Sequence, residues 1–499
     1  MGGAPAQTGY PLGTSKWHHA GVDDIIEELS WRGLLAITTD LDELRQALRS
    51  GRVTIYCGFD PTAPGLHIGN LVQLLTLRRL QLAGHRPIGL VGGATGLIGD
   101  PSGKSAERVL NPREVVADWV GRIGGEVARF LDFDAGPASA LMVSNLDWTG
   151  PMPVLEFLRD IGKHFSVNRM LDRESVKARL ESGGISYTEF SYQLLQALDF
   201  LELYRRYGCT AQIGGSDQWG NLVAGVGLIR SVEGASVHAL ATPLITKPDG
   251  TKYGKTEGGA IWISPDLMAP YAFYQFWLNV SDAEVPSLLR VFSFKSREEI
   301  EALVRESAER PAARVGQRAL AEELTTLVHG AQECHRVAAA SRAGFVFDQA
   351  YLAQLDKPTW EVMFRELPRT ERPSTFAASD PSHGGPPATT LNQAPSSPGQ
   401  VALPHPASTF SNADQTADAP SIAGLMVSAG TAPTLSAARR AIAEGGVYLN
   451  NKRVASVDAV LRPSDLFHER YALLRRGKRT TAVINWPMTG EASRSRKEP

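Results

Sequence analysis

In the first half of the chain, apolar and polar positions alternate in a way that predicts strands and helices taking turns. Val53-Thr54-Ile55-Tyr56-Cys57-Gly58-Phe59 is a β-branched and aromatic run closed by the turn Asp60-Pro61-Thr62. Behind it, Leu66-His67-Ile68-Gly69-Asn70 opens a segment whose Leu71, Leu74, Leu75 and Leu80 recur at helical spacing. Ile88 to Val91 is a second strand, ending in Gly92-Gly93-Ala94-Thr95-Gly96-Leu97-Ile98-Gly99-Asp100-Pro101, and Leu141-Met142-Val143 a third. Asp23 to Leu34 and Thr39 to Arg49 read as short helices. Such alternation predicts an α/β, Rossmann-like parallel sheet, whose ligands sit beyond the C-terminal strand ends.

Thr188 to Leu203 predicts a helix with two stripes. Leu194, Leu195, Leu198 and Leu201 form its apolar face, while Tyr192, Gln196 and Asp199, at i, i+4 and i+7, form a wholly polar one. Solvent accounts for many polar stripes, but surface helices usually display Lys and Glu. Tyr, Gln and Asp are groups that recognise a small polar molecule. Gln212-Ile213-Gly214-Gly215-Ser216-Asp217-Gln218 is a further strand and Gly turn, and Pro243-Leu244-Ile245-Thr246-Lys247 runs into the loop Pro248 to Thr256.

The period then changes. Pro265 to about Leu367 is helical, with Tyr271 to Trp277 as core aromatics. Pro368 to Asp418 collapses to Pro, Ser, Thr, Ala and Gly, the composition of a flexible linker. A small α+β unit follows, with Ser436 to Ile442 as helix and Val447 to Asn450 as strand. The expected division is therefore a disordered extension 1–22, a Rossmann-like catalytic domain 23–247, and a cationic loop with an α-helical domain at 248–367. A linker 368–418, a basic unit 419–486 and a tail 487–499 complete it.

Composition is that of an ordinary soluble protein, 43% hydrophobic and 21% charged with a formal net charge of −2. No apolar run is long enough to span a membrane, and the N-terminus has no signal-like apolar core. Three widely spaced cysteines, Cys57, Cys209 and Cys334, argue against both a disulfide framework and a metal knuckle. These features predict a cytoplasmic protein. The small net charge hides an asymmetry: Pro420 to Asn485 holds ten Lys and Arg against four Asp and Glu, while the residues before Pro420 carry about −9. An acidic body with a basic end suggests that the end meets a polyanion.

The candidate chemistry lies in the turns. His67 and Asn70 share one face at a helix start, where unpaired backbone N–H groups and the helix dipole suit phosphate. Gly69 between them permits close approach. Lys252 and Lys255, flanked by Gly and by the hydroxyls of Thr251 and Thr256, form a loop that can stabilise charge on a leaving polyphosphate. Gly99 to Ser105 and Gly250 to Thr256 each fall one residue short of P-loop spacing, and Gly92-Gly93-x-x-Gly96 is not the dinucleotide fingerprint. Kinase and NAD-enzyme readings are weak accordingly.

With these residues laid out, the chain from about Trp31 to Asn485 resembles the bacterial tyrosyl-tRNA synthetases, which are class I aminoacyl-tRNA synthetases. Leu66-His67-Ile68-Gly69-Asn70 is similar to the family's "HIGH" motif, with Asn70 in place of its last His. Lys252-Tyr253-Gly254-Lys255-Thr256 is similar to "KMSKS" in its lysines and hydroxyl. The runs around Tyr56, Asp100, Tyr192 and Asp217 match as well, and the basic C-terminal unit is similar to a ribosomal-protein-like RNA-binding domain.

The resemblance implies a tyrosine–tRNA ligase that uses ATP to make tyrosyl-adenylate and then charges tRNA(Tyr), with an anticodon-binding helical domain and a homodimeric assembly. His67, Asn70, Lys252, Lys255 and Thr256 would be catalytic. Tyr56 and Asp199 would hold the substrate phenol, Asp100, Tyr192 and Gln196 its ammonium, and Gln218 its carboxylate end. Gly58, Asp60, Gly69, Gly215 and Asp217 would complete the ATP site, and Lys104 and Arg108 would meet pyrophosphate. Arg439, Arg440, Lys452, Arg453, Arg475, Arg476 and Lys478 would bind RNA. Mg²⁺ is expected with ATP, without a dedicated protein site. A carboxylate is already ionised at neutral pH, so activation needs no general base, in keeping with the absence of an acid–base dyad. Two rivals remain. One is an adenylate-forming enzyme for tryptophan, for which the Tyr56/Asp199 pair has no use. The other is a non-catalytic RNA-binding protein, which has no use for Lys252 and Lys255.

Overall fold

The computed structural model describes residues 24–102, 110–246, 253, 255–256, 259–343, 348–371, 420–477 and 480–486. The expected extension 1–22, the tail 487–499 and most of 368–418 lie outside them. The chain divides into two compact units, Met1–Ala338 and Ala339–Pro499.

In the first unit six strands form one sheet: β1 (Ile37–Thr38), β2 (Thr54–Phe59), β3 (Arg86–Val91), β4 (Leu141–Ser144), β5 (Cys209–Gly215) and β6 (His238–Thr242). Their order is β1-β6-β5-β2-β3-β4. All neighbours are parallel except β1, an antiparallel edge on β6. Strands of such a sheet are covered on both faces, which is why they read as apolar runs; β6 is buried at every residue. From β2 the chain moves outward through β3 and β4, then returns to lay β5 along the other side of β2. The strand order thus reverses between β2 and β5, where Tyr56 pairs with Ile88 on one side and Gln212 on the other.

The polar-striped helix spans Tyr187–Tyr207. Its N-cap Ser186 accepts a hydrogen bond from the Glu189 N–H at 3.2 Å, and it stops at Gly208, whose φ of 62° suits a residue without Cβ. It packs beside Trp219–Glu233, and Phe200, Leu201 and Leu228 join Tyr56, Ile88 and Leu90 in one core. Phe273, Tyr274 and Trp277 of the helix Pro270–Leu278 are core residues, as their sequence suggests.

Two buried guanidiniums hold the end of the helix Val285–Phe292. Arg79 donates to the carbonyls of Val291 and Ser293 at 2.9 and 2.8 Å. Arg32 donates to those of Arg290 and Ser293 at 2.9 and 2.7 Å, with Glu28 beside it at 2.6 Å. Carbonyls at a helix C-terminus lack partners within the helix, so cations there satisfy both hydrogen bonding and the dipole.

The second unit contains a five-stranded sheet, β11-β10-β12-β13-β9, made of β9 (Arg369–Glu371), β10 (Val447–Leu449), β11 (Lys452–Arg453), β12 (Tyr471–Arg476) and β13 (Thr480–Asn485). All pairs are antiparallel except β9 with β13. Residues 369–371, read from composition as the start of a linker, therefore form an edge strand of the basic unit. The helix Lys357–Glu366, read as the end of the helical domain, belongs there too. Trp360, fully buried, stacks on Phe467 at 5.2 Å and Tyr471 at 6.0 Å. Helical periodicity shows that a helix has an apolar face, but not which partner covers it.

Trp360→Ala should destabilise the second unit by about 3–5 kcal/mol, the usual cost of truncating a buried aromatic. Calorimetry of the whole chain should show one transition moving down while the other stays. A single transition that moves as a whole would contradict two separately packed units.

Candidate active site

A cavity of about 480 Å³ opens beyond the C-terminal ends of β2 and β5. The helix Ile68–Leu82 starts at its rim. His67 is the N-cap: its Nδ1 accepts from the Gly69 N–H at 3.1 Å, and Asn70 Oδ1 accepts from the His67 N–H at 3.1 Å. The pair forms a reciprocal cap on the first turn. A Cβ on Gly69 would lie 2.8 Å from the His67 ring, so glycine there makes room for the cap itself as well as for a ligand. The preceding backbone is pinned by the buried carboxylate of Glu126, which accepts from the Leu66 N–H at 2.7 Å.

The polar stripe of Tyr187–Tyr207 faces the cavity, not solvent. Tyr192, Gln196 and Asp199 all line it, with Tyr192 and Asp199 buried. Asp199 accepts from Asn145 Nδ2 at 2.9 Å and Trp148 Nε1 at 2.8 Å. Burial outweighs both donors and pushes its carboxyl up to about 8. Tyr56 packs its ring on Phe200 at 5.3 Å, and its buried hydroxyl has no hydrogen-bond partner. Burial, and then the charge of Asp199, raise the Tyr56 pKa well above the usual phenol range. Gln196 and Gln212 each present a buried Oε1 that also lacks a partner.

Towards the mouth, the carboxylates are already engaged. Tyr192 donates to Asp60 Oδ2 at 2.6 Å, and Thr95 donates to Asp60 Oδ1 at 2.6 Å. Asp100 Oδ2 accepts from Gln218 Nε2 at 2.6 Å, while its Oδ1 accepts from the Ser102 N–H at 3.0 Å. A Cβ at Gly215 would stand 2.7 Å from the Asp217 carboxylate, so a side chain there would push that carboxylate aside. Gly58 also lines the wall.

The structure thus gathers Tyr56, Gly58, Asp60, His67, Gly69, Asn70, Asp100, Tyr192, Gln196, Asp199, Gly215, Asp217 and Gln218 around one cavity. Lys104, Arg108, Lys252 and Lys478 lie outside the described residues. Lys255 and Thr256 are described in backbone only, as β7 (Lys255–Thr256) paired with β8 (Gly259–Ala260). In the second unit Arg439, Arg440, Lys452, Arg453 and Arg476 are exposed, but Arg475 is not. It is 1% exposed and donates to the Ala343 carbonyl; β12 is buried on both faces from Tyr471 to Arg475, and Arg476 is exposed as its last residue. Arg475 is a buried structural cation and, unlike the other described basic residues expected to bind RNA, does not offer its guanidinium to solvent. Sequence reasoning missed Asn145, Trp148, Gln212 and Thr95. Asn145 and Trp148 follow β4 directly, and a parallel sheet makes every strand end a candidate position. Gln212 lies within a strand and carried no such signal.

The family described as tRNA synthetases class I (W and Y) matches residues 48–346, and that described as Tyrosine--tRNA ligase SYY-like C-terminal domain matches residues 406–484. The chain is 54% identical over 463 residues to the tyrosine--tRNA ligase of Acidothermus cellulolyticus, covering 92% of this chain and 98% of that one. It is 51% identical over 470 residues to that of Thermobifida fusca, covering 92% and 99%. Among solved structures it is similar to a C-terminally truncated mitochondrial tyrosyl-tRNA synthetase of Aspergillus nidulans, at 31% identity and a TM-score of 0.59, covering 64% of this chain and 93% of that one.

A carboxyl whose folded pKa is raised adds stability at low pH and loses it as pH rises through the folded value. For Asp199 in the ligand-free protein, that contribution is complete below about pH 4 and gone above about pH 8. Compared with Asp199→Asn, the unsubstituted protein should therefore lose a few kcal/mol over that window, read from urea midpoints at about pH 5, 7 and 9. Parallel curves for the two proteins would contradict the assignment.

Proposed function

We infer that the chain, which belongs to the class I tRNA synthetases of the tryptophan and tyrosine group, acts as a tyrosine–tRNA ligase. It activates L-tyrosine with ATP to tyrosyl-adenylate and pyrophosphate, then passes tyrosine to the 3′ end of tRNA(Tyr). The observation that carries the amino-acid choice is the base of the cavity, where an unpartnered Tyr56 hydroxyl and the Asp199 carboxyl line the same buried pocket. A ligand hydroxyl satisfies both. An indole offers one N–H and no hydroxyl, which makes tryptophan the poorer fit.

In this reading Tyr56 and Asp199 hold the phenol, with Asn145 and Trp148 fixing the carboxyl through its two oxygens. Tyr192, Gln196 and Asp100 take the ammonium, and Gln218, bonded to Asp100, turns towards the carboxylate. Asp217 and Gly215 hold the ribose. His67 and Asn70 exchange their mutual cap for contacts to phosphate at the start of the helix Ile68–Leu82. The tyrosine carboxylate attacks the α-phosphate, and the catalytic work is placement and charge stabilisation as pyrophosphate leaves. Lys104, Arg108, Lys252, Lys255 and Thr256 supply that charge and hydrogen bonding. Mg²⁺ accompanies ATP in this reading. Among the described residues no three His, Cys, Asp or Glu side chains gather into a cation site. The exposed Arg439, Arg440, Lys452, Arg453 and Arg476 meet tRNA, and the setting is the cytoplasm. Among the described residues no helix is long and apolar enough to cross a membrane.

The partner of the chain is a second copy of itself. Among the described residues, half of the exposed large hydrophobics lie between residues 146 and 187, among them Val154 at 67% exposure, Leu155 at 77% and Tyr187 at 72%. Apolar side chains so concentrated are normally covered. Leu155→Asp should shift sedimentation from dimer to monomer. A wild-type protein that sediments as a monomer would end this part of the reading.

Tyr56→Phe removes a hydroxyl that bonds to no other group of the protein, so stability should change little. The tyrosine-over-phenylalanine ratio in kcat/KM should fall by about 0.5–1.5 kcal/mol, the worth of one neutral hydrogen bond. Pyrophosphate exchange with both amino acids measures it. An unchanged ratio would mean that the phenol is held elsewhere.

A further inference from the structure

Of residues 247–254 the structure describes Tyr253, and it places that ring deep in the protein. Tyr253 is 8% exposed, and its N–H donates to the Ile245 carbonyl at 2.7 Å. The ring meets Phe276 edge-on at 5.6 Å and Trp277 at 6.3 Å. Trp277 in turn packs against Phe292 at 5.0 Å, and Tyr253 and Phe292 both line the cavity. Phe292 is the last residue of its helix. The carbonyls on either side of it, those of Val291 and Ser293, are the two that Arg79 holds. Arg79 stands in the last turn of the helix whose N-cap is His67. The seat under Tyr253 is therefore tied to the same helix that presents His67.

On the other side of Lys255 the backbone is tied to that helix a second time. β7 pairs with β8, and the chain continues into Ile261, whose carbonyl accepts from the Ile68 N–H at 3.0 Å. The Ile263 N–H donates to the Leu66 carbonyl at 3.0 Å, with Trp262 bridging His67 between them. Lys255 thus springs from a short stretch pinned two residues earlier by an aromatic ring and, beyond it, by a ladder to the His67 turn. An ammonium on a four-carbon stem has long reach and little direction of its own, so the backbone that carries it decides where its charge falls.

We propose that Tyr253 is a positioning residue for adenylate formation: its ring, seated against Phe276 and Trp277, fixes the backbone from which Lys255 reaches the departing pyrophosphate. This rests on the reading of Lys255 given above. Tyr253 acts through the lysine and has no part in holding the amino acid. A ring that served only as core filling would, on removal, lower the melting temperature and leave the chemical step alone.

A double-substitution cycle on the full-length enzyme separates these possibilities, read as single-turnover adenylate formation at saturating ATP and tyrosine, with tyrosine affinity from equilibrium dialysis. Tyr253→Ala should slow the step on the order of tenfold or more while the tyrosine Kd moves less than about twofold. Tyr253→Phe should restore the rate to within about twofold, because the ring and not the hydroxyl fills the seat. In a Lys255→Ala background, Tyr253→Ala should cost less than about twofold further, since a residue acting through a lysine has nothing left to position. Equal factors in the two backgrounds, an unchanged rate for Tyr253→Ala, or a loss confined to tyrosine affinity would each overturn the proposal. If Lys255→Ala alone leaves the rate unchanged, the reading of Lys255 falls first and the proposal with it. Tyr253→Leu, which keeps bulk without an aromatic ring, runs the same cycle should the alanine variant fail to fold.

Discussion

A parallel strand followed by a right-handed crossover commits the chain to one side of a sheet. Here β3 is laid on one side of β2 and β5 on the other, so the connections leaving these central strands diverge and none closes over their ends. The crevice beyond β2 and β5 is a consequence of connectivity before any side chain is chosen. The polar groups of the site hang from its edges. Tyr56 and Asp60 come from β2 and its end, Gln212 and Gly215 from β5, and His67 from the helix that follows β2. Tyr187–Tyr207 closes the floor with three polar residues from one face.

Such a floor carries polar groups that nothing in the protein pairs. The hydroxyl of Tyr56 and the carbonyl oxygens of Gln196 and Gln212 are each buried with no partner within the protein. Asp199 adds a carboxyl that burial drives towards its neutral form. These groups stay in place because their surroundings leave them no alternative. Phe200 packs the Tyr56 ring, and Asn145 and Trp148 each hold one oxygen of Asp199. On the proposed reading, the phenol of tyrosine supplies partners that phenylalanine cannot. Selectivity for a single oxygen atom would follow from that difference.

Much of this was legible in the residues. The strand–turn–helix grammar located β2, β3, β4 and β5 and the helix start around His67, though not His67 as its cap, because parallel strands must be apolar and the helical period begins there. The stripe of Tyr192, Gln196 and Asp199 was legible as unusual, though not as inward-facing, since periodicity fixes relative directions around a helix and not the identity of its neighbour. Trp360 failed for that reason: its helix looks like the others before it, and only the three-dimensional packing assigns it to the basic unit. Arg475 failed for a related one. Charge is visible in a sequence, whereas whether a strand position is covered depends on what packs against each face, and β12 is buried on both as far as Arg475.

The parallel pairing of β9 with β13 has an implication for how this chain tolerates change. Residues 371 and 420 are far apart in the sequence, yet both belong to the same folded unit, so the pairing joins distant parts of the chain. The entropic cost of closing a flexible loop grows only with the logarithm of its length, about 0.6 kcal/mol for each doubling. Modest gains and losses of residues between β9 and β13 should therefore alter the stability of this pairing little.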